Sequence, residues 1–76
     1  MRFRVGDIIC SKGCGSTAPS ANIWWRVNRL SKKGLHLEMV YDRNGFCRAT
    51  KIASPYWFRL PRRNEQLELP FLLMER

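Results

Sequence analysis

Apolar and polar residues alternate along most of this chain with a period of two, the repeat of a half-buried strand. Over residues 23–30, Ile23, Trp25 and Val27 fall on one face, and Trp24, Arg26 and Asn28 on the other. Over residues 35–41, Leu35, Leu37, Met39 and Tyr41 point one way, and His36, Glu38 and Val40 the other. Residues 46–53 fit a further strand with Cys47 and Ala49 inward and Phe46, Arg48 and Thr50 outward, although the opposite phase also fits. Residues 3–10 form the first strand of the set, punctuated by Gly6-Asp7. The pattern predicts a core of Ile23, Trp25, Val27, Leu35 and Leu37, with Trp24 and Arg26 facing solvent.

Turn chemistry separates the strands. Ser31-Lys32-Lys33-Gly34 is one turn, and Asp42-Arg43-Asn44-Gly45 ends in Asn-Gly, the strongest short hairpin signal. Residues 11–22 form a loop rich in Gly, Ser and Ala, long for its surroundings. Residues 54–58 begin with Ser-Pro and suit a short 3₁₀ turn, after which Arg59-Leu60 makes a brief closing strand. No stretch shows a convincing helical period. Four or five short strands avoid open edges by curling into a small barrel. The Val5-Gly6-Asp7 turn ahead of Ile8-Ile9 resembles the opening of SH3-like barrels. So does the order of strand, long loop, three meandering strands, 3₁₀ turn and short last strand. The expected fold is therefore all-β, a small SH3-like barrel over residues 1–61, with a linker and C-terminal peptide tail over residues 62–76.

At 76 residues the chain is one domain, burying roughly 60% of its unfolded surface. That leaves little room for an enclosed catalytic pocket. Net charge is +8 and the isoelectric point about 10.3, which speaks to partners more than to fold. Residues 1–63 carry thirteen Lys and Arg against three acidic residues, whereas residues 64–76 carry Arg76 against Glu65, Glu68 and Glu75. A basic body with an acidic, apolar tail suggests two tasks in two places. The odd set Cys10, Cys14 and Cys47 argues against a disulfide framework. No targeting segment or membrane span is evident. The expected setting is the cytoplasm.

If the strand phases hold, Trp24, Arg26, Phe46 and Arg48 share the solvent side of neighbouring strands. Aromatic rings interleaved with Arg suit single-stranded nucleic acid, since bases stack on the rings and guanidinium groups pair with phosphates. Lys32, Lys33, Arg43 and Lys51 add attraction that does not depend on sequence. The plainer alternative is that exposed Arg keeps a tiny barrel soluble and Trp24 covers one end of the core.

The tail holds the most informative residues. Gln66-Leu67-Glu68-Leu69-Pro70-Phe71 follows the polar break Pro61-Arg62-Arg63-Asn64. This hexapeptide resembles the motif by which bacterial polymerases, mismatch-repair proteins and replication regulators dock on the ring-shaped sliding clamp. The resemblance implies that Gln66 anchors one end by hydrogen bonds, Leu67 packs on an apolar step, and Leu69 and Phe71 enter a pocket. Pro70 pre-sets the chain direction and lowers the ordering cost. The alternative is structural: Leu67, Leu69 and Phe71 alternate, so the tail could be a final edge strand, where Pro70 is tolerated. Leu72, Leu73 and Met74 extend the apolar stretch, which needs either a partner or docking on the body.

Other chemistry is set aside. Cys10, Cys14, His36 and Cys47 would make a Cys₃His zinc site only with unusual spacing, so no metal or cofactor is expected. The single His has no nucleophile at a known spacing, and no enzyme or small-molecule substrate is expected. The leading expectation is a phage or mobile-element protein that binds the bacterial sliding clamp, to recruit or to block it. The alternatives are a nucleic-acid-binding barrel whose tail is its last strand, and an inhibitor of a host defence complex of the anti-CRISPR kind.

Overall fold

The structure, a computed structural model, describes residues 3–13, 21–42 and 49–74. Five antiparallel strands run in the order β4-β3-β2-β1-β5: β1 at Ile8–Ser11, β2 at Trp24–Ser31, β3 at Gly34–Tyr41, β4 at Thr50–Ala53 and β5 at Phe58–Arg59. A 3₁₀ turn at Pro55–Trp57 joins β4 to β5, and a helix, α1, spans Arg63–Met74. The chain is mostly β, small and barrel-like. Its order of strand, connection, three-strand meander, 3₁₀ turn and short closing strand is the one expected.

The alternation of side chains builds two apolar clusters, one on each face of the sheet. Inside lie Phe3, Ile9, Trp25, Val27, Leu35, Leu37 and Phe58, with Met39, Ala49 and Ala53 packed against them. Outside lie Cys10, Trp24, Val40 and Leu69, bordered by Ile8, Tyr41, Leu72 and Leu73. Along β1, Ile9 therefore points in and Cys10 out; along β2, Trp25 points in and Trp24 out. The outer cluster exists because α1 lies over it through Leu69, Leu72 and Leu73.

That helix corrects the expected facing of several residues. Trp24 sits on the outer face as its phase requires, but it is fully buried, because α1 excludes the solvent it was expected to meet. Val40 is buried for the same reason. Ile23, expected in the core, precedes β2 and is 40% exposed. Tyr41, expected on the face of Leu35, Leu37 and Met39, instead pairs with Trp24 and packs on the outer cluster, because the β2–β3 register shifts between Trp24 and Trp25. The first strand is shorter than residues 3–10, because the chain turns first. Asp7 N–H donates to the Arg4 carbonyl at 3.0 Å, Arg4 N–H donates to Asp7 Oδ2 at 2.8 Å, and Gly6 adopts φ +97°. Phe3 still reaches the inner core. The fourth strand begins at Thr50; the expected positions Phe46, Cys47 and Arg48 lie outside the described residues. Phe58, expected in the turn, opens β5.

The β2–β3 hairpin pairs Ser31 with Gly34 across Lys32-Lys33. Neither lysine has positive φ; Gly34 takes φ +133° instead. A Cβ at Gly34 would stand 2.5 Å from the Ala53 carbonyl oxygen, closer than any relaxed contact. Both the backbone angle and the space therefore require glycine. Gly34→Ala should cost about 2 kcal/mol or more, read as a lowered urea midpoint. An unchanged midpoint would show that this close approach is not a constraint.

Candidate functional site

The tail is neither an extended peptide nor a final strand. Its residues close a helix that starts without a Ser, Thr, Asp or Asn cap. The first helical bond runs from Gln66 N–H to the Arg62 carbonyl at 2.9 Å, which makes Arg62 the capping position. Glu65, three residues on, reaches back: its Oε1 accepts from Arg62 N–H at 2.7 Å. This is half of a capping box. The same carboxylate meets the Arg59 guanidinium of β5 in a two-pronged pair, Nη1 to Oε1 at 2.7 Å and Nη2 to Oε2 at 3.0 Å. Glu65 is 1% exposed, so a charged side chain is buried where the helix leaves the barrel. Hydrogen bonding from Arg59 holds its carboxyl below the usual carboxylate range. Burial pushes the other way, and the Arg62 N–H and nearby positive charge add to the lowering.

The six motif residues are distributed around this helix. Leu69 is buried with Trp24, Cys10 and Val40. Leu67 and Phe71 are each 69% exposed, and Gln66 and Pro70 are exposed beside them. Gln66 Nε2 donates to the Pro61 carbonyl at 3.1 Å. Residues 66, 67, 70 and 71 recur at helical spacing, so α1 carries one apolar side on the barrel and a second one in solvent. Pro70 lies inside the helix. It cannot donate to the Gln66 carbonyl, and its ring crowds the preceding turn. Such a residue costs roughly 3 kcal/mol in a helix interior, which leaves α1 dependent on its packing and on Glu65.

The expected nucleic-acid residues do not assemble as a stacking surface around Trp24, because that indole is covered. Arg26 is exposed, with Nη2 4.0 Å from Glu38 Oε1, a separation that contributes little at a surface. Lys32 and Lys33 are exposed at the tip of the β2–β3 hairpin. Lys51 Nζ lies 4.4 Å from the Trp25 ring centre and 5.1 Å from that of Phe58, capping the inner core. Arg43 and Arg48 lie outside the described residues. His36 is half-buried, its Nε2 2.7 Å from Ser31 Oγ. Cys10 is enclosed in the outer cluster; Cys14 and Cys47 are not described.

Side chains outside the expected set draw together instead. Tyr56 and Trp57 are adjacent aromatic residues that both stand well exposed. Their rings meet edge to face, centres 4.9 Å apart and planes at 86°, and Lys12 Nζ lies 4.5 Å from the Tyr56 ring centre. The sequence signal was the adjacent aromatic pair after Ser54-Pro55, in a turn too short to bury both. Among the described residues, no helix is long and apolar enough to cross a membrane. Comparison with protein-family models, curated proteins and solved structures gave no match to the chain.

Because the folded-state value of Glu65 is depressed, its contribution to stability is complete above the ordinary carboxylate value of about 4.3. It disappears as pH falls through the lower folded-state value. Glu65→Gln should cost about 2 kcal/mol at pH 7. The gap between variant and wild type should narrow below about pH 4, as measured by urea unfolding across pH. A gap that stays constant down to pH 2 would remove the charged pair from the account.

Proposed function

We propose that this chain is a small basic binding protein, not an enzyme, that docks on the bacterial sliding clamp through Gln66–Phe71 and acts in the cytoplasm of a bacterial host. One observation supports it most. The side chains that the motif resemblance assigns to docking sit on a helix that holds a proline in its interior, and Gln66, Leu67, Pro70 and Phe71 already face solvent. An extended docked peptide requires α1 to unwind and Leu69 to leave the outer cluster. Exposing that side chain costs roughly 2 kcal/mol, and uncovering Trp24 and Val40 adds to the cost. Pro70 offsets part of this by weakening the helix beforehand.

Docking is then coupled to a local unfolding step, and apparent affinity falls by the fraction of molecules in the open form. The clamp-bound chain leaves the basic barrel free to speed encounter by charge. A second reading is a nucleic-acid-binding barrel with α1 as a fixed cover. It is favoured by the exposed cations Arg26, Arg29, Lys32 and Lys33 on the β2–β3 hairpin.

Titrating labelled clamp distinguishes them. Wild type should bind, and Gln66→Ala/Phe71→Ala should bind roughly a hundredfold more weakly, as expected for two anchor residues. Glu65→Gln should bind more tightly than wild type although it is less stable, because it frees the helix start. If the clamp ignores wild type while DNA is bound in a salt-dependent way, the second reading stands instead.

A further inference from the structure

We propose that Tyr56, Trp57 and Lys12 form a stacking site for single-stranded nucleic acid. The inference deepens the nucleic-acid reading of the basic barrel and is independent of the clamp reading. It starts from how firmly the turn is held. Pro55 sets the first backbone angle of the 3₁₀ turn, and Ser54 Oγ accepts from Tyr56 N–H at 3.2 Å. Trp57 N–H donates to the Ser54 carbonyl at 3.2 Å, and Lys12 N–H donates to the Trp57 carbonyl at 2.9 Å. Phe58, the next residue, is anchored in the inner core. The backbone is fixed on both sides, yet the two rings it carries are 66% and 62% exposed.

Two large aromatic side chains held in water on a rigid turn lose little further freedom on binding, which favours them as contact groups. In an edge-to-face pair, the ring that contributes its edge keeps both faces clear of its partner. Lys12 places a cation beside that pair, its Nζ 4.5 Å from the Tyr56 ring centre. The chain as a whole carries +8. A ligand that matches flat rings beside a cation on a basic body has exposed π faces and negative charges. Single-stranded nucleic acid has both, whereas a duplex hides its base faces in its own stack.

The test uses the three tryptophans. Trp24 and Trp25 are buried and Trp57 is exposed, so quenching of indole emission by a stacked base reports on Trp57. Wild type and the Tyr56→Ala, Trp57→Ala and Lys12→Gln variants are also titrated into a dye-labelled oligothymidylate of about twenty nucleotides, long enough for one small-barrel site, with affinity read from its anisotropy so that the variant lacking Trp57 is measured in the same way. The same chains are titrated with the matching duplex and with a proline-rich peptide, and each variant's folding is checked by its urea midpoint. The expected result is quenching by the oligothymidylate and at least a tenfold loss of affinity in each aromatic variant, with the salt slope retained. Lys12→Gln should lower that slope by somewhat under one unit. Unchanged affinity in both folded aromatic variants overturns the site while leaving a purely electrostatic nucleic-acid reading. Tighter binding of duplex than of single strand overturns it too, as does quenching by the peptide alone. Absence of any nucleic-acid binding removes the site and the broader reading together, whatever the clamp titration shows.

Discussion

The arrangement of this molecule depends on one buried carboxylate. Glu65 joins the last strand to the helix by taking two hydrogen bonds from the Arg59 guanidinium and one from the Arg62 backbone. A buried ion pair of this kind gains little over a well-packed apolar pair, because both charges must leave water. Its value is directional. The two-pronged geometry admits one orientation of the carboxylate, so the helix leaves β5 along a path that lays Leu69, Leu72 and Leu73 on the outer face of the sheet. Without that path, Trp24, Cys10 and Val40 would lose their cover.

A sheet with both faces covered explains where the sequence was readable and where it was not. Period-two alternation identified Trp25, Val27, Leu35 and Leu37 as inner residues, because each points into the barrel whatever lies outside. The same alternation placed Trp24 and Val40 on the outer face, where the sheet puts them, but it missed the register shift that brings Tyr41 to that face as well. What alternation lacks is any account of a distant segment folding over that face. The adjacent pair Trp24-Trp25 was the available hint, since two neighbouring indoles on one strand need two covered sides. The helix itself was concealed by its composition. Leu67, Leu69 and Phe71 mimic a strand, Pro70 argues against a helix, and the capping position holds Arg62. The remaining signal was Glu65 three residues after that cap, with Leu69, Leu72 and Leu73 at helical spacing.

The candidate surfaces were legible in part for related reasons. A short peptide motif is visible in sequence because its residues are contiguous, but its conformation depends on packing that the motif does not encode. The Tyr56–Trp57–Lys12 group shows the opposite case. Tyr56 and Trp57 are neighbours, whereas Lys12 arrives from the far end of β1 through the β1–β5 pairing. Only tertiary structure brings that cation to the ring.

The covering of both faces has one more consequence, for alignment of the β2–β3 hairpin. In a sheet with one wet face, a slip of one residue drives the whole apolar set into water, and that penalty holds the strands in place. At the Trp24 end of this hairpin a slip would exchange one enclosed indole for another, so burial discriminates poorly between the two alignments. At that end the pairing does shift, between Trp24 and Trp25, whereas at the opposite end Gly34 of β3 is pressed against the Ala53 carbonyl of β4, a contact that aligns the next pair of strands. The two ladders of β3 are thus held by different means: a steric fit without slack on the β4 side, and on the β2 side a hairpin that absorbs irregularity at two bulges.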